Sequence, residues 1–294
     1  ALRAVENGLS PSPAAAADLG LAIRASVLGG RAACAYYGGP LRIARKGSEG
    51  PVTAADHASN RAIAACLAEA RPGETVLSEE SVAPEESRLQ GRLWVVDPLD
   101  GTKEFIAENG EFSVMVGLAV EGRALAGAVY QPGIGRVFAG IVEEGAWVLE
   151  EDEGAWLAAA LALDPESDPA TPLRFARSRS HPDERLAELA RELAPIEEVV
   201  SGSVGIKCAL VATGAADLYV HPVPYLKEWD TCAPEAVLRG AGGRVTDCAG
   251  RDLRYGKSER RQNGGIFAGT PAAWRRVRPI VEKTTRNMFT GTTT

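Results

Sequence analysis

The sequence predicts a layered α/β fold, and three observations carry that expectation. From Leu173 onward, short β-branched apolar runs alternate with segments of helical period, the pattern of strands stacked on helices. Earlier in the chain, "FSVMVGLAV", the turn "EGR" and "ALAGAVYQP" read as a β-hairpin. The chain has 294 residues, 45% hydrophobic and 24% charged, a balance that permits a sizeable core. At roughly 100–200 residues per domain, the length admits one large domain or two lobes.

Taken in order, "AAAADLGLAIRASVLGGRAACAYY" reads as a helix interrupted at Gly29-Gly30, followed by a loop, "GGPLRIARKGSEGP". Thr53 is placed to cap a helix that runs to about Glu69 and is closed by "RPGE". "TVLSEE" is a short strand ending in acids, "RLWVVD" a second, buried strand, and "RVFAGIV" the strand after the hairpin. Residues 143–171 hold acids, an alanine run and prolines. They are read as an exposed insertion or as the boundary between an N-terminal lobe, 1–150, and a C-terminal lobe, 151–294. The second half then gives strand "LRFARS", a helix near 183–193, strand "IEEVVS", helix "GIKCALVATG", strand "ADLYVH", helix "TCAPEAVLRGAGG" and strand "RVTDC". The ending "TTRNMFTGTTT" has no packing pattern and is expected to fray.

The formal net charge of -7 argues against nucleic acid or an anionic membrane as the main partner. It does not argue against a small phosphorylated ligand, because a local cationic site overrides the global sign. No apolar run approaches the roughly 18 residues of a membrane span, and the start lacks the basic and apolar regions of a signal peptide. A cytoplasmic monomer or homodimer is expected. The five cysteines form no CxxC pair and read as buried, reduced thiols. The three histidines show no ligand spacing, so zinc is not expected.

The chemistry is carried by acids. Strand "LWVVD" delivers Asp97 at its carboxyl end, where α/β proteins place ligands. Pro98 suits a tight turn that brings Asp97 and Asp100 to face one point. Two carboxylates that close repel each other. A hard divalent cation would remove the repulsion and would also accept a turn carbonyl such as that of Leu99. Gly101 lets the backbone approach a ligand, Thr102 adds a hydroxyl, and a helix beginning there would offer backbone N–H groups to an anion, so both are expected to bind substrate. A phosphatase of the haloacid-dehalogenase type would need its aspartates two residues apart, whereas these are three apart. Glu79 and Glu80 end another strand, Asp56 sits early in a helix, and Asp230 opens one beside Trp229. Each of these acids alone is more often a cap or a solvated group. Together they suggest a polynuclear magnesium centre, the arrangement that serves phosphoryl transfer.

"LSEES", "WVVDPLDGTKEF" and "KEWDTCAPEAVLRGAGGRVTD", in this order, resemble the inositol monophosphatase superfamily. "DPLDGTKEF", "FSVMVGLAVEGRALAGAVYQP" and "WDTCAPE" look most like its 3'(2'),5'-bisphosphate nucleotidase branch. The resemblance covers residues 14–269. It implies a five-layer αβαβα sandwich and a lithium-sensitive phosphatase that uses two or three Mg2+ ions. By position, Glu79, Asp97, the Leu99 carbonyl, Asp100 and Asp230 would be metal ligands. Asp56 and Thr102 would orient the attacking water, and Glu80 would stand behind the ligands or help to hold a further ion. "SGSVGIK" aligns with the family's substrate loop, so Gly202, Ser203 and Val204 would line the phosphate or ribose. Lys207 would be the cationic contact, with Lys227 facing the substrate from the same lobe. Inositol-specific members carry a glutamate seven residues before the last metal aspartate, and Val223 stands there in this chain. The reaction implied is hydrolysis of the 3'-phosphate of adenosine 3',5'-bisphosphate, with an inositol phosphatase or fructose-1,6-bisphosphatase activity as the alternative.

Overall fold

A computed structural model describes residues 11–41, 43–45, 51–81, 91–152, 155–169, 171–180, 184–222 and 225–286. The chain opens with α1 (Pro13–Cys34), a two-stranded ribbon of β1 (Ala44–Arg45) and β2 (Pro51–Val52), and α2 (Ala54–Ala70). Then come β3 (Thr75–Ser78), β4 (Arg92–Asp100), α3 (Thr102–Ile106), β5 (Ser113–Val120), β6 (Arg123–Gln131), β7 (Arg136–Ile141), β8 (Gly145–Asp152) and β9 (Ala155–Leu161). The second half holds β10 (Leu173–Ser178), α4 (Glu184–Leu193), β11 (Ile196–Ser201), α5 (Val204–Ala212), β12 (Leu218–His221), α6 (Glu228–Gly240), β13 (Arg244–Thr246), β14 (Ile266–Gly269) and α7 (Pro271–Thr285).

These elements stack in five layers. Helices α1 and α2 cover one face of a seven-stranded sheet of order β3-β4-β5-β6-β7-β8-β9. Helices α5 and α6 fill the space between that sheet and a five-stranded sheet of order β11-β10-β12-β14-β13. Helix α7 packs on β14 of the second sheet and against α4. This is the expected αβαβα sandwich.

Alternation along β4 decides what the site receives. Trp94 and Val96 point into the α1–α2 core, while Leu93 and Val95 point into the α5–α6 core. Asp97 continues the second set and therefore faces α6. Asp100, three residues on, would by strict alternation face the other way. It does not, because Asp97 pairs with Met115 and Asp100 with Ser113, so an extra residue of β4 bulges between them. Pro98, which has no N–H to give a ladder, sits in that bulge. The bulge turns both aspartates to the same face. Below the turn, Leu99, Phe105 and Phe112 pack with Ala33 and Ala55, and the two phenylalanine rings lie 4.9 Å apart, edge to face.

Helix α6 lies unusually close to the first sheet. Gly117 pairs with Gly127, and Gly127 with Gly140, so three glycines form a row across adjacent strands. A Cβ on them would meet Cys232 Sγ at 2.7 Å, Ala233 Cα at 2.6 Å and Val237 Cα at 2.7 Å respectively. Gly127→Ala should therefore destabilise the protein by about 1–3 kcal/mol, the range for overpacking, because helix backbone must move. Denaturant unfolding measures this, and an unchanged midpoint would show that α6 is not seated on the glycine row.

Two expectations are corrected, one in α1 and one at Cys34. Helix α1 runs through Gly29 and Gly30 without interruption. Those glycines serve packing: a Cβ would meet Ile63 Cδ1 at 2.7 Å and the Tyr130 ring at 2.4 Å. Within residues 143–171, β8 and β9 extend the first sheet, and the chain passes to the second sheet after Leu161. Cys34 is exposed, whereas Cys66, Cys208, Cys232 and Cys248 are buried and all five are free thiols. Among the described residues, no helix is long and apolar enough to cross a membrane. Residues 1–10 and 287–294, where a leader was considered and fraying expected, lie outside the described residues.

Candidate active site

The carboxyl end of β4 opens into a cleft of ≈ 730 Å³. Its walls include Glu79, Asp97, Leu99, Asp100, Gly101, Thr102 and Asp230, brought from four separate elements or turns. Asp97 is the most deeply placed, with 2% exposure, and its Oδ1 accepts the Leu99 N–H at 3.0 Å. Burial pushes its carboxyl well above the usual range, and Glu79, Asp100 and Asp230 add to this by repulsion. Asp230 occupies the third position of α6, where its Oδ2 accepts the Lys227 N–H at 2.7 Å. It is pushed up to about 7 by burial and by the charge of Asp100. Asp100 faces α5: its Oδ2 accepts the Ser203 hydroxyl at 2.6 Å and the Gly205 N–H at 3.1 Å.

The donor set is carboxylate and carbonyl oxygen throughout, which suits a hard divalent cation. Burial first, and then the charge of neighbouring acids, raises the Asp97 and Asp230 carboxyls, and such a cation would offset both. Among the described residues, no three acidic, histidine or cysteine side chains are drawn as close together as the ligands of one ion. The acids converge on the cleft without closing to coordination distance, so the residues fit a cation by chemistry and placement.

Asp56 and Thr102, 46 residues apart in sequence, meet: Thr102 Oγ1 lies 3.3 Å from Asp56 Oδ1 and 3.3 Å from the Leu99 carbonyl. Asp56 is fixed by its helix start. Its Oδ2 accepts the Thr53 N–H at 2.8 Å and the Thr53 hydroxyl at 2.7 Å, closing a capping box on α2. Burial raises the Asp56 carboxyl, with those bonds opposing and the charge of Glu80 adding to the rise. Glu80 stands behind the pair, 3.5 Å from His57 Nδ1. The turn itself is pinned from α2 by the Ser59 hydroxyl, which donates to the Pro98 carbonyl at 2.7 Å.

The substrate loop is brought to the same cleft, with one difference. Ser203, Val204, Lys207 and Lys227 line it; Gly202 is not on the wall, and its N–H donates to Glu111 Oε2 at 2.7 Å. Lys207 is buried, and its Nζ donates to the carbonyls of Gly202 at 2.8 Å and Ser203 at 2.6 Å. Burial lowers its pKa. Its Nζ also lies 5.3 Å from the centre of the Tyr219 ring, another wall of the cleft. Lys227 Nζ lies 5.7 Å from the centre of the Trp229 ring. Sequence reasoning did not select Ser178, Ser180, Tyr219, His221, Tyr225 or Arg261, which also line the cleft. A signal for the serines was present: "RSRS" ends a strand, β10, at its carboxyl edge, as "VVD" ends β4. Val223 lies outside the described residues.

The profile of the inositol monophosphatase family matches residues 14–284. The 3'(2'),5'-bisphosphate nucleotidase CysQ of Salmonella typhimurium is 38% identical over 228 residues, 77% of this chain and 88% of that protein. The mouse 3'(2'),5'-bisphosphate nucleotidase 1 is 29% identical over 275 residues, covering 80% of this chain and 84% of that one. The crystal structure of CysQ from Bacteroides thetaiotaomicron, a bacterial member of the inositol monophosphatase family, has a TM-score of 0.71 at 32% identity, covering 87% of this chain and 97% of that one. The Thermotoga maritima IMPase, at 18% identity, shares the fold with a TM-score of 0.76 over 92% of this chain and 99% of that one. The profile match spans almost all of the sequence, and the layers and the converging acids agree with it: the chain belongs to the inositol monophosphatase family.

Proposed function

We propose that the protein is a Mg2+-dependent 3'(2'),5'-bisphosphate nucleotidase that converts adenosine 3',5'-bisphosphate to AMP and phosphate. The observation that carries the reading is the meeting of Thr102 with Asp56 beside the carboxylates of Glu79, Asp97, Asp100 and Asp230 in one cleft. The likeness to the Salmonella and mouse nucleotidases supports the choice of substrate. Glu79, Asp97, Asp100, Asp230 and the Leu99 carbonyl would hold two or three Mg2+ ions. Those ions, when bound, neutralise the phosphate and supply Lewis acidity at its oxygens.

The chain's own groups do the rest. The Thr102 hydroxyl donates its proton to Asp56 Oδ1, which leaves an oxygen lone pair to accept a hydrogen from water. That bond aims the water's own lone pair at phosphorus for direct in-line attack, with no phosphoenzyme. Asp56 cannot swing away, because the capping box holds its other oxygen. The positive charges of Lys207 and Lys227 meet the phosphate that is not cleaved. Trp229 and the exposed Tyr225 offer flat surfaces to adenine.

Phosphate release from adenosine 3',5'-bisphosphate, inositol 1-phosphate, fructose 1,6-bisphosphate and NADP, each with Mg2+ and with excess chelator, tests the reading. The bisphosphate should give the highest kcat/KM, and chelation should abolish activity until Mg2+ is restored. Equal or better hydrolysis of inositol 1-phosphate would replace the nucleotidase by a broader phosphatase. Full activity in chelator would remove the metal from the account.

A further inference from the structure

Glu111 lies between α3 and β5 and is not among the acids placed to hold the ions. Its carboxylate gathers two distant segments, Arg179 after β10 and Gly202 after β11. Arg179 binds it at both ends, Nε to Oε2 at 2.7 Å and Nη2 to Oε1 at 2.6 Å. The Gly202 N–H donates to the same Oε2 at 2.7 Å. Arg179 holds the Glu111 carboxyl below its ordinary range, with the Gly202 N–H contributing. Contact is close enough to exclude a side chain at Gly202, where a Cβ would strike the Glu111 carbonyl oxygen at 2.4 Å and Glu104 Cγ at 2.5 Å. Glu104, buried beside it, accepts the Ser180 hydroxyl.

The next residue shows what this grip is for. Ser203 has a φ of +41°, a conformation that a non-glycine residue holds only when its surroundings impose it. There its hydroxyl donates to Asp100 and accepts the Ile206 N–H at 3.1 Å. Lys207 holds the loop by its carbonyls, and Glu111 holds it by its N–H. An isolated surface ion pair contributes little, but this one is bidentate and also captures a backbone donor.

We propose that Glu111 is a positioning residue: gripped by Arg179, it fixes the Gly202–Ser203 loop so that the Ser203 hydroxyl orients Asp100. The inference rests on the reading of Asp100 as a metal ligand. The alternative is that the pair only ties two segments together for stability.

The test uses the full chain with Glu111→Gln, which keeps the shape and removes the charge, and Arg179→Lys, which keeps the charge and removes the fork. Asp252→Asn is the control; it breaks an exposed ion pair to Arg123 at 3.1 Å. Amide exchange should quicken in peptides covering residues 200–206 of Glu111→Gln and stay as in wild type elsewhere. Mg2+ affinity by calorimetry should fall, and kcat/KM for adenosine 3',5'-bisphosphate should drop roughly 10- to 100-fold, the scale of one charge-assisted hydrogen bond. Arg179→Lys should fall between Glu111→Gln and wild type, and Asp252→Asn should match wild type. Unchanged exchange at 200–206 in Glu111→Gln, or a rise spread evenly over the chain, overturns the proposal. So does wild-type Mg2+ affinity in that variant. If wild type hydrolyses none of the bisphosphate, the nucleotidase reading fails by itself, and the exchange measurement still decides the role of Glu111.

Discussion

Asp97→Asn should lower kcat by several orders of magnitude while leaving the protein folded. The amide has the size of the carboxylate, and its oxygen can still accept the Leu99 N–H that Asp97 accepts at 3.0 Å. What it removes is the charge at the deepest point of the cleft, facing Glu79, Asp100 and Asp230. The same change has a signed effect on stability. A buried carboxyl whose pKa is raised in the folded state costs stability when it ionises, at pH values above its ordinary range. Asp97→Asn should therefore melt at a higher temperature than wild type in chelator at neutral pH. With Mg2+ added the order should reverse, because wild type gains a ligand-linked increment that the variant has lost. Melting curves with and without Mg2+, beside kcat, measure both halves. A variant that keeps about a tenth of wild-type kcat would show that Asp97 is dispensable to the reaction.

Thr102→Ala should lower kcat by roughly 10²–10⁴-fold, the range for losing a group that handles a proton in the transition state. KM should change far less, because in the proposed role the hydroxyl orients water. Thr102→Ser keeps the oxygen 3.3 Å from Asp56 and should recover most of the rate. If Thr102→Ala and Thr102→Ser lose the same amount, the methyl group and the packing of α3 matter, and the water-aiming role is wrong.

Much of this was legible from local chemistry. Thr53 and Asp56 announce a helix start by their spacing, and the structure closes that box. The β5–β6 hairpin follows from alternating apolar residues around "EGR", and the acids at the ends of apolar runs mark the cleft. What failed was reading packing as punctuation. Gly29 and Gly30 look like a helix break, because glycine disfavours helix when nothing else acts. Tertiary contact with Ile63 and Tyr130 overrode that preference. Strands β8 and β9 were hidden because acids and an alanine run resemble a linker, and the outer edge of a sheet tolerates them. Helix α7 did carry a signal, Thr270 capping before Pro271 and then Trp274, Val277 and Val281 on one buried side. The bulge that turns Asp100 beside Asp97 depends on pairing with β5, which no local window contains.

The glycine row bears on how the molecule can move. Asp97 is carried by the first sheet and Asp230 by α6, and the absence of side chains at Gly117, Gly127 and Gly140 lets that helix rest directly on the sheet. Sheet and helix thus behave as one stiff plate on which these two acids are mounted. Ser178 and Ser180 belong to the second sheet and its margin. The Arg179–Glu111 and Ser203–Asp100 bonds tie that margin to the first sheet across the cleft. The spacing of Asp97 and Asp230 on the plate is therefore set by a contact with no intervening side chain whose rotation could change it.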